Sequence, residues 1–395
     1  MPDQDEHALP AGAEPLTGDS ATERRYTLFF FVGLFFLLLW SAWDYGGRYL
    51  HVQAIAQVLS AGLVLMFALQ LLRRGNMDPL MDYPLLRPGL LWLLALGLSW
   101  IFSVNRLASL EEIWRWVMYL LLALGVYGWL RLQARPEQGV AVLLSGTLLT
   151  GLVIVGIGLG MPSAESGLSS TFYRTNDLAG YLLLLVPLAL HLLFVSSKLP
   201  WRLLSGLSFI CLATALILTN SRSSWVAGLL ACGLVLLLNR SLLRSKALRW
   251  SLLGSLALLL GGLVLNWSLV AQRLQTLTSL QIFAENATAW RLELLKGTWR
   301  MFEANPLLGT GPNTFATAFT AFQHQPGYYS INPHNFYLQT LAETGAIGFV
   351  ALSVWLWAIG RHLMRCPNRY SSGVLAGLFA SLMHIAFDID WSISA

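Results

Sequence analysis

The chain has 395 residues, of which 56% are hydrophobic and only 11% are charged, and its mean hydropathy is +0.60. The apolar residues recur in runs of about 17–22 residues, which predicts an all-α, polytopic helical membrane protein rather than a large soluble core. The formal net charge of +5 is modest and indicates no nucleic-acid partner. The three cysteines lie in or beside apolar runs and lack metal-ligand spacing, so they indicate no zinc site.

Residues 1–23 are predicted to form a disordered cytoplasmic tail. They contain six acidic residues and no Lys or Arg, with several Pro, Gly and Ala. This segment is not a signal peptide, because its charge has the wrong sign and the first apolar run starts only after Arg24 and Arg25. The basic pair predicts that the N-terminus stays in the cytoplasm.

The apolar runs predict about eleven to twelve transmembrane helices, and eleven can be placed to within a few residues. Basic residues recur in alternate connections, as the positive-inside rule requires. The resulting topology divides the chain into a bundle over 24–270, a large periplasmic loop with short helices over 271–345, and C-terminal spans over 346–395. The predicted spans are roughly 27–43, 52–72, 86–104, 113–130, 138–160, 178–196, 203–219, 224–239, 250–270, 346–362 and 371–387.

The end of the long loop contains a histidine at a predicted helix start. Asn332 is a candidate helix cap and Pro333 suits a first helical turn, so His334 is expected at a helix N-terminus. The helix dipole there disfavours a positive charge, and a neutral imidazole can accept a proton. The alternative is a solvated loop histidine that only helps to cap the helix. Gly345 is expected to end this helix or to let it bend into the next apolar run.

Two external arginines are singled out by their surroundings. Arg222 lies in a very tight turn between two apolar spans, from which it can look into the bundle. It is either an interfacial anchor or a phosphate ligand, since guanidinium binds phosphate bidentately. Helical periodicity over 290–303 puts Arg291 in the middle of an apolar face and Arg300 on the opposite, wet face. A cation in an apolar face indicates an anionic ligand or a structural salt bridge. Some of the other external arginines, a set that includes Arg115, are predicted to lie at the interfacial ends of spans.

The same stretches resemble a known family. His334-Asn335, nine residues, Gly345, two residues and Gly348 are similar to the pattern of bacterial O-antigen ligases, and to a stretch shared by O-antigen polymerases and protein O-oligosaccharyltransferases. The Ser-Arg turn at 221–222 and the external Arg291 also resemble the family, as does the Pro-Leu-x-Gly-x-Gly segment at 306–311. The resemblance covers roughly 170–395. The family usually has one more span than the eleven placed here, so we expect a missed span or a truncated C-terminus.

The resemblance implies a reaction and a set of residues. The implied donor is a glycan on undecaprenyl diphosphate, and the implied acceptor is a sugar hydroxyl, which for the ligases belongs to lipid A–core. His334 is expected to assist deprotonation while Arg222 and Arg291 hold the diphosphate, with no metal and no cofactor. Six further residues are expected to bind substrate or to support the residues that do: Arg174, Asn176, Asn335, Tyr328, Tyr329 and Asp388.

Several functions remain open at this point. Within the family, an O-antigen or exopolysaccharide polymerase differs from a ligase only in its acceptor, and a protein oligosaccharyltransferase is less favoured. A secondary transporter would place ionisable residues at mid-membrane, whereas the charges here lie toward the external rim. A structural membrane protein explains neither Arg291 nor the His334 motif. We therefore expect a glycosyltransferase of the bacterial inner membrane whose site faces the periplasm.

Overall fold

The computed structural model describes residues 20–43, 49–74, 83–133, 135–161, 167–240, 286–323, 330–365 and 369–388, with scattered positions between 246 and 271. Most of the predicted tail, most of the predicted span 250–270, and both Tyr328 and Tyr329 lie outside the described residues. The described end of the predicted tail, from Ser20, is already helical.

The described segments are dominated by helices, and each predicted span other than 250–270 coincides with one of them. Six are long and apolar enough to cross a membrane, and four others are shorter apolar helices of 10–17 residues. The prediction of a polytopic helical membrane protein is therefore confirmed. The helices are α1 (Ser20–Ser41), α2 (Leu50–Arg74), α3 (Leu86–Ile101), α4 (Arg106–Arg131), α5 (Pro136–Gly160), α6 (Thr175–Val195), α7 (Leu199–Leu218), α8 (Arg222–Leu238), α9 (Asn286–Ala304), α10 (Phe315–Ala318), α11 (Phe336–Arg365) and α12 (Ser371–His384).

Helix α6 is the centre of the bundle. Its sequence is apolar on all sides, and nearly every residue from Asp177 to Phe194 is buried. A helix without a polar face is stable only when neighbours surround it. Its neighbours α5, α7, α8 and α12 supply the largest cluster of buried apolar side chains.

Helix α12 packs very closely against α6, and glycine makes the approach possible. A Cβ atom at Gly377 would lie 2.8 Å from the Leu184 carbonyl oxygen, and one at Gly373 would lie 2.8 Å from His191 Cβ. Small residues four apart allow two helix backbones to approach in this way. Since 377 lies beside 184 and 373 beside 191, the two helices are antiparallel. The N-terminus of α6 and the C-terminus of α12 therefore lie at the same end of the bundle.

Helix α11 bends at Gly345, as the sequence predicted. Gly345 has φ 68° and ψ −173° within an otherwise helical segment. The loop after α9 packs into this bend, and the Ala346 N–H donates to the Pro306 carbonyl over 2.8 Å. A Cβ at Gly345 would lie 2.2 Å from the Leu307 carbonyl, and one at Gly309 would lie 2.2 Å from the Glu343 carbonyl. Gly345 of the histidine motif and Gly309 of the 306–311 segment thus let two backbone segments touch.

Candidate functional site

The site forms where three helix ends meet. The start of α11 is tied to the end of α12, because the Phe336 N–H donates to the Ile385 carbonyl over 2.9 Å. The Tyr337 hydroxyl donates to the Leu382 carbonyl over 2.6 Å. Since α12 is packed against α6, these bonds bring the residues before α11 to the N-terminus of α6. Polar side chains separated by up to about two hundred residues in the sequence meet there.

His334 directly precedes the cap of α11. The Asn335 side-chain oxygen accepts the Leu338 N–H over 2.9 Å, so Asn335 is the N-cap. His334 has a positive φ of 55°, which reverses the chain just before the cap. The prediction that Asn332 caps the helix and Pro333 starts it was therefore wrong by three residues. The reversal at His334 leaves Asn335 as the residue whose side chain reaches the first free N–H groups.

Asp388 faces His334 across the junction. His334 Nδ1 lies 3.5 Å from Asp388 Oδ1, which is longer than a standard hydrogen bond and within ion-pair range. The Asp388 side chain is fully buried, whereas that of His334 is 17% exposed. The Asn176 amide donates to the other carboxylate oxygen of Asp388. Three of the residues predicted to act at the site are thus brought together.

The charge of Asp388 is stabilised by its neighbours. Burial alone would raise the pKa of this carboxyl, but the close contact with His334 and the positive fields of Arg174 and His384 lower its pKa to about 2. The group therefore stays ionised throughout the physiological range. A fixed carboxylate beside Nδ1 holds the proton on that nitrogen and leaves Nε2 as the acceptor.

Arg174 is held chiefly by Asp177. Its Nη2 lies 2.6 Å and its Nε 3.1 Å from Asp177 Oδ1, whereas its distance to Asp388 Oδ1 is 3.8 Å. The Asp177 side chain is buried at the start of α6, and Arg174 is 28% exposed. Arg174 therefore contributes a positive field to Asp388 while a second carboxylate fixes its position. The sequence analysis named Arg174 but missed Asp177, which lies only three residues away.

Trp290 is a second residue that the sequence analysis missed. Its ring lies 5.8 Å from the His334 imidazole, centroid to centroid, with the planes tilted by 58°. Trp290 also packs on the buried cluster that joins α9 to α10 and α11. Trp290 thus links the N-terminal part of α9 to His334. Periodicity could mark Trp290 only as apolar, because the contact joins segments that are far apart in sequence.

The predicted orientation of α9 was wrong. Its buried residues are Leu294, Gly297, Thr298 and Met301, whereas Arg291 is exposed. The buried face is centred about 70° away from Arg291, counting 100° per residue. The reason is Gly297, where a Cβ would lie 2.5 Å from the Phe319 ring. Because glycine leaves room there, Phe319 packs on the side of α9 that carries Gly297 rather than on the side that carries Arg291.

The outward side of α9 also differs from the prediction. Trp299 is 47% exposed, and its Nε1 donates to Glu303. Arg300 is not simply on a wet face, since its guanidinium donates to the Phe322 carbonyl over 3.2 Å. Arg291 follows Trp290 directly, at the end of α9 that reaches His334. No described residue forms a hydrogen bond or an ion pair with Arg291.

Arg222 starts α8 beside the entrance to α6. The turn that precedes it is tight, and the Leu168 N–H donates to the Leu218 carbonyl over 2.8 Å, which ties this turn to the segment leading to Arg174. The Arg222 side chain is exposed and does not look into the bundle as expected. It makes no hydrogen bond or ion pair with the described residues. Arg222 and Arg291 are therefore cations whose guanidinium groups are open to an external anion.

Glu343 holds the loop that packs into the bend of α11. Its buried carboxylate accepts the Phe315 N–H over 2.8 Å, the Asn313 N–H over 3.1 Å and the Gln339 amide over 3.2 Å. Two of these donors are backbone groups, one in the loop after α9 and one at the start of α10. Glu343 lies inside the nine unspecified positions of the histidine motif, so the motif gave no reason to select it.

Among the described residues, no three His, Cys, Asp or Glu side chains converge as metal ligands. The acidic groups at the site are instead matched with donors of the chain. Asp177 pairs with Arg174, and Asp388 contacts Asn176 and His334. The exposed guanidinium groups of Arg222 and Arg291 have no partner among the described residues, which suits an anionic ligand.

Residues 207–353 match the family model described as O-antigen ligase. The match contains Arg222, Arg291 and His334, whereas Arg174, Asn176 and Asp388 lie outside it. It supports the assignment of this chain to the O-antigen ligase family, in agreement with the resemblance in the sequence. None of the curated proteins matches the chain.

Proposed function

We propose that this chain, as a member of the O-antigen ligase family, transfers a glycan from undecaprenyl diphosphate to an acceptor sugar hydroxyl. The proposed reaction is ligation of O-antigen to lipid A–core at the periplasmic side of the bacterial inner membrane, with inversion at the transferred sugar and without a metal ion. The observation that carries the proposal is the pair His334–Asp388 at the meeting point of three helix ends.

The pair provides a base for the acceptor. His334 Nε2 takes the proton of the acceptor hydroxyl as its oxygen attacks the anomeric carbon. The bond from that carbon to the diphosphate oxygen breaks, and the electron pair leaves with undecaprenyl diphosphate. The imidazole becomes positively charged during this step, and the ionised Asp388 stabilises that charge. The contact of 3.5 Å is expected to shorten as the charge develops.

The leaving diphosphate needs positive charge, and the exposed Arg222 and Arg291 supply it in the proposal. Guanidinium keeps its charge and binds two phosphate oxygens at once. The exposure of both side chains supports this role better than burial would, because a lipid-linked donor arrives from outside the bundle. Asn176 and Arg174 support Asp388. Asn335 caps α11 and so influences the reaction through the position of His334 rather than by contact with substrate. Contacts of Tyr328 and Tyr329 with sugar rings remain part of the proposal.

The test is transfer by the purified full chain in liposomes, with a lipid-linked glycan as donor. Lipid A–core and a second lipid-linked glycan are offered separately, so the product distinguishes ligation from polymerisation. His334→Gln is expected to lower transfer at least about 100-fold, since general bases contribute about 10²–10⁴-fold. His51→Gln, an exposed histidine of α2, is the matched control. Retention of more than about a tenth of the activity by His334→Gln would exclude it as the base.

The arginine roles are tested by charge-conserving substitution. Arg291→Lys keeps the charge but loses the bidentate fork, so we expect a loss of about tenfold or more, and a larger loss for Arg291→Ala. Lys296→Ala is the control, because Lys296 is a cation of the same helix that pairs with Glu293 over 2.8 Å. Equal losses in the two alanine variants would mean that positive charge acts collectively.

Metal independence is tested in the same assay with excess EDTA, which is expected to leave the transfer rate unchanged. A loss of activity that added Mg²⁺ restores would refute the metal-independent reaction.

The membrane side is tested with single cysteines in a chain whose native cysteines are replaced. A cysteine at Thr320 should react with an impermeant maleimide in intact spheroplasts, whereas one at Arg240 should be protected. Both positions are exposed in the structure, so access depends on the membrane side alone. The reverse pattern would put the site in the cytoplasm.

A further inference from the structure

A recess between α1, α2 and α4 lies apart from the His334 site. Its cavity volume is about 140 Å³. Its wall is mainly apolar and includes Leu37, Val52, Ala56 and Met118. Ser41, the last residue of α1, and Gln53, near the start of α2, also line it. The recess therefore opens near the helix ends, where spans of this kind meet the boundary of the bilayer.

Arg115, one of the external arginines considered as interfacial ends of spans, lines this recess and is mostly buried. Its side chain is 14% exposed, and it forms an ion pair with Glu112, whose side chain is 12% exposed. Glu112 is also held by the Trp116 Nε1–H over 2.7 Å. The guanidinium Nε of Arg115 is buried and has no hydrogen-bond partner among the described residues. A buried charged donor without an acceptor is costly, so an acceptor from outside the chain is indicated.

The charges around Arg115 restrict what this acceptor can be. Glu112 already neutralises the guanidinium through its ion pair. A phosphate bound beside Nε would be repelled by this carboxylate. A neutral oxygen such as a carbonyl would accept from Nε without that repulsion.

The recess is also lined by the polar residues Ser41, Gln53, Gln57, Ser60 and Tyr119, and none of them accepts a hydrogen bond from Arg115 Nε. The Ser60 hydroxyl donates to the Ala56 carbonyl over 2.8 Å, and the Ser41 hydroxyl donates to the Leu38 carbonyl over 3.2 Å. Both serines thus bond within their own helices. The recess therefore combines a mainly apolar wall with a buried charged donor that lacks an acceptor among the described residues, and it lies in a chain that crosses a bilayer.

We propose that this recess binds one acyl chain of a bilayer glycerophospholipid, whose ester carbonyl accepts a hydrogen bond from Arg115 Nε. An acyl chain fits the apolar wall, and its ester supplies the neutral acceptor at the boundary of the hydrocarbon layer. An isoprenoid chain has no carbonyl, and its phosphate would meet Glu112. The site is therefore selective for acylated lipids over the class of lipid that serves as donor in the proposed reaction. The bilayer supplies this occupant at high local concentration.

The test uses the purified full chain in nanodiscs with phosphatidylethanolamine that carries a photoreactive diazirine in one acyl chain. Crosslinks are expected in the peptides that contain 37–41, 52–60 and 115–122. Unlabelled phosphatidylethanolamine should compete with labelling, whereas undecaprenyl phosphate should not. Labelling confined to other segments would overturn the proposal, as would equal competition by undecaprenyl phosphate. Stronger competition by an acylated glycolipid acceptor would also overturn the assignment to a bilayer phospholipid.

Two variants test the recess in different ways. Ala56→Phe fills the recess, and the double variant Glu112→Gln/Arg115→Met removes the donor while keeping the local charge balanced. Each is expected to reduce specific labelling at least tenfold. Arg106→Met is the control, because Arg106 lies at the exposed start of the same helix and should leave labelling unchanged. Undiminished labelling in both recess variants would refute the site. If either variant does not fold, the other and the wild-type crosslinks still decide. Glycan transfer is not the readout, so this result is independent of the proposed reaction.

Discussion

Replacement of Asp388 by Asn tests the proposed mechanism most directly. The substitution keeps the size of the side chain and removes its charge. Asp388 Oδ1 lies 3.5 Å from His334 Nδ1. At that distance a full charge pair is worth about 4.7 kcal/mol with an effective dielectric constant of about 20. If about half of the imidazolium charge has developed in the transition state, the loss is about 2.4 kcal/mol, which is roughly 50-fold in rate.

The assay is initial transfer velocity in liposomes at saturating donor, with equal amounts of folded protein for each variant. The fall should appear in kcat, because the charge on His334 arises only as the reaction proceeds. Asp177→Asn is the matched control, since Asp177 is a buried carboxylate that faces Arg174 rather than His334. It should reduce transfer less than about fivefold. A fall of less than about fivefold in Asp388→Asn, or equal falls in the two variants, would refute the reasoning.

Three further predictions follow from neighbouring residues. Trp290→Leu should lower transfer about fivefold, since an aromatic pair is worth about 1 kcal/mol, while Trp299→Leu on the exposed side of α9 should stay within about twofold. Gly345→Ala should strongly reduce yield and thermal stability, because φ is 68° and the new Cβ would lie 2.2 Å from the Leu307 carbonyl; Gly360→Ala, with open space around its Cβ, should be neutral or stabilising in the same thermal assay. Because the pKa of Asp388 is lowered to about 2, the ionised carboxylate adds to the free energy of unfolding above pH about 4. This contribution is lost as the pH falls through about 2. Denaturation midpoints at pH 3 and pH 6 should therefore differ less in Asp388→Asn than in the wild type, and equal differences would contradict that contribution.

The histidine motif combines residues with different physical tasks. Gly345 is required by a close backbone contact and a positive φ, as is Gly309 in the loop that packs against it, and Asn335 caps α11. Only His334 is left with a nitrogen available for chemistry. We therefore expect that variants of the glycines and the asparagine act through the position of His334 rather than by contact with substrate. Their thermal stabilities should fall together with their activities.

The sequence by itself determined the membrane fold and the position of most helices. Long apolar runs bounded by charges require helices in a bilayer, because no other element satisfies its backbone groups within a single span. The bend at Gly345 was also predictable, since glycine before an apolar run either ends or bends a helix. The motif selected His334, and the family resemblance selected Arg291 as an arginine of the external loop, whereas the periodicity argument for Arg291 was wrong.

The tertiary structure alone decided the pairing and the orientation of the site residues. Asp388 and His334 meet because the start of α11 is bonded to the end of α12. Gly373 and Gly377 then bring this pair to the start of α6, and no local pattern encodes either contact. The face of α9 that is buried was decided by Gly297, because Phe319 packs where the missing side chain leaves room. Helical periodicity ranks side chains by polarity, but it contains no information about the shape of the partner surface. That shape put Arg291 on the outside and Trp290 against the histidine.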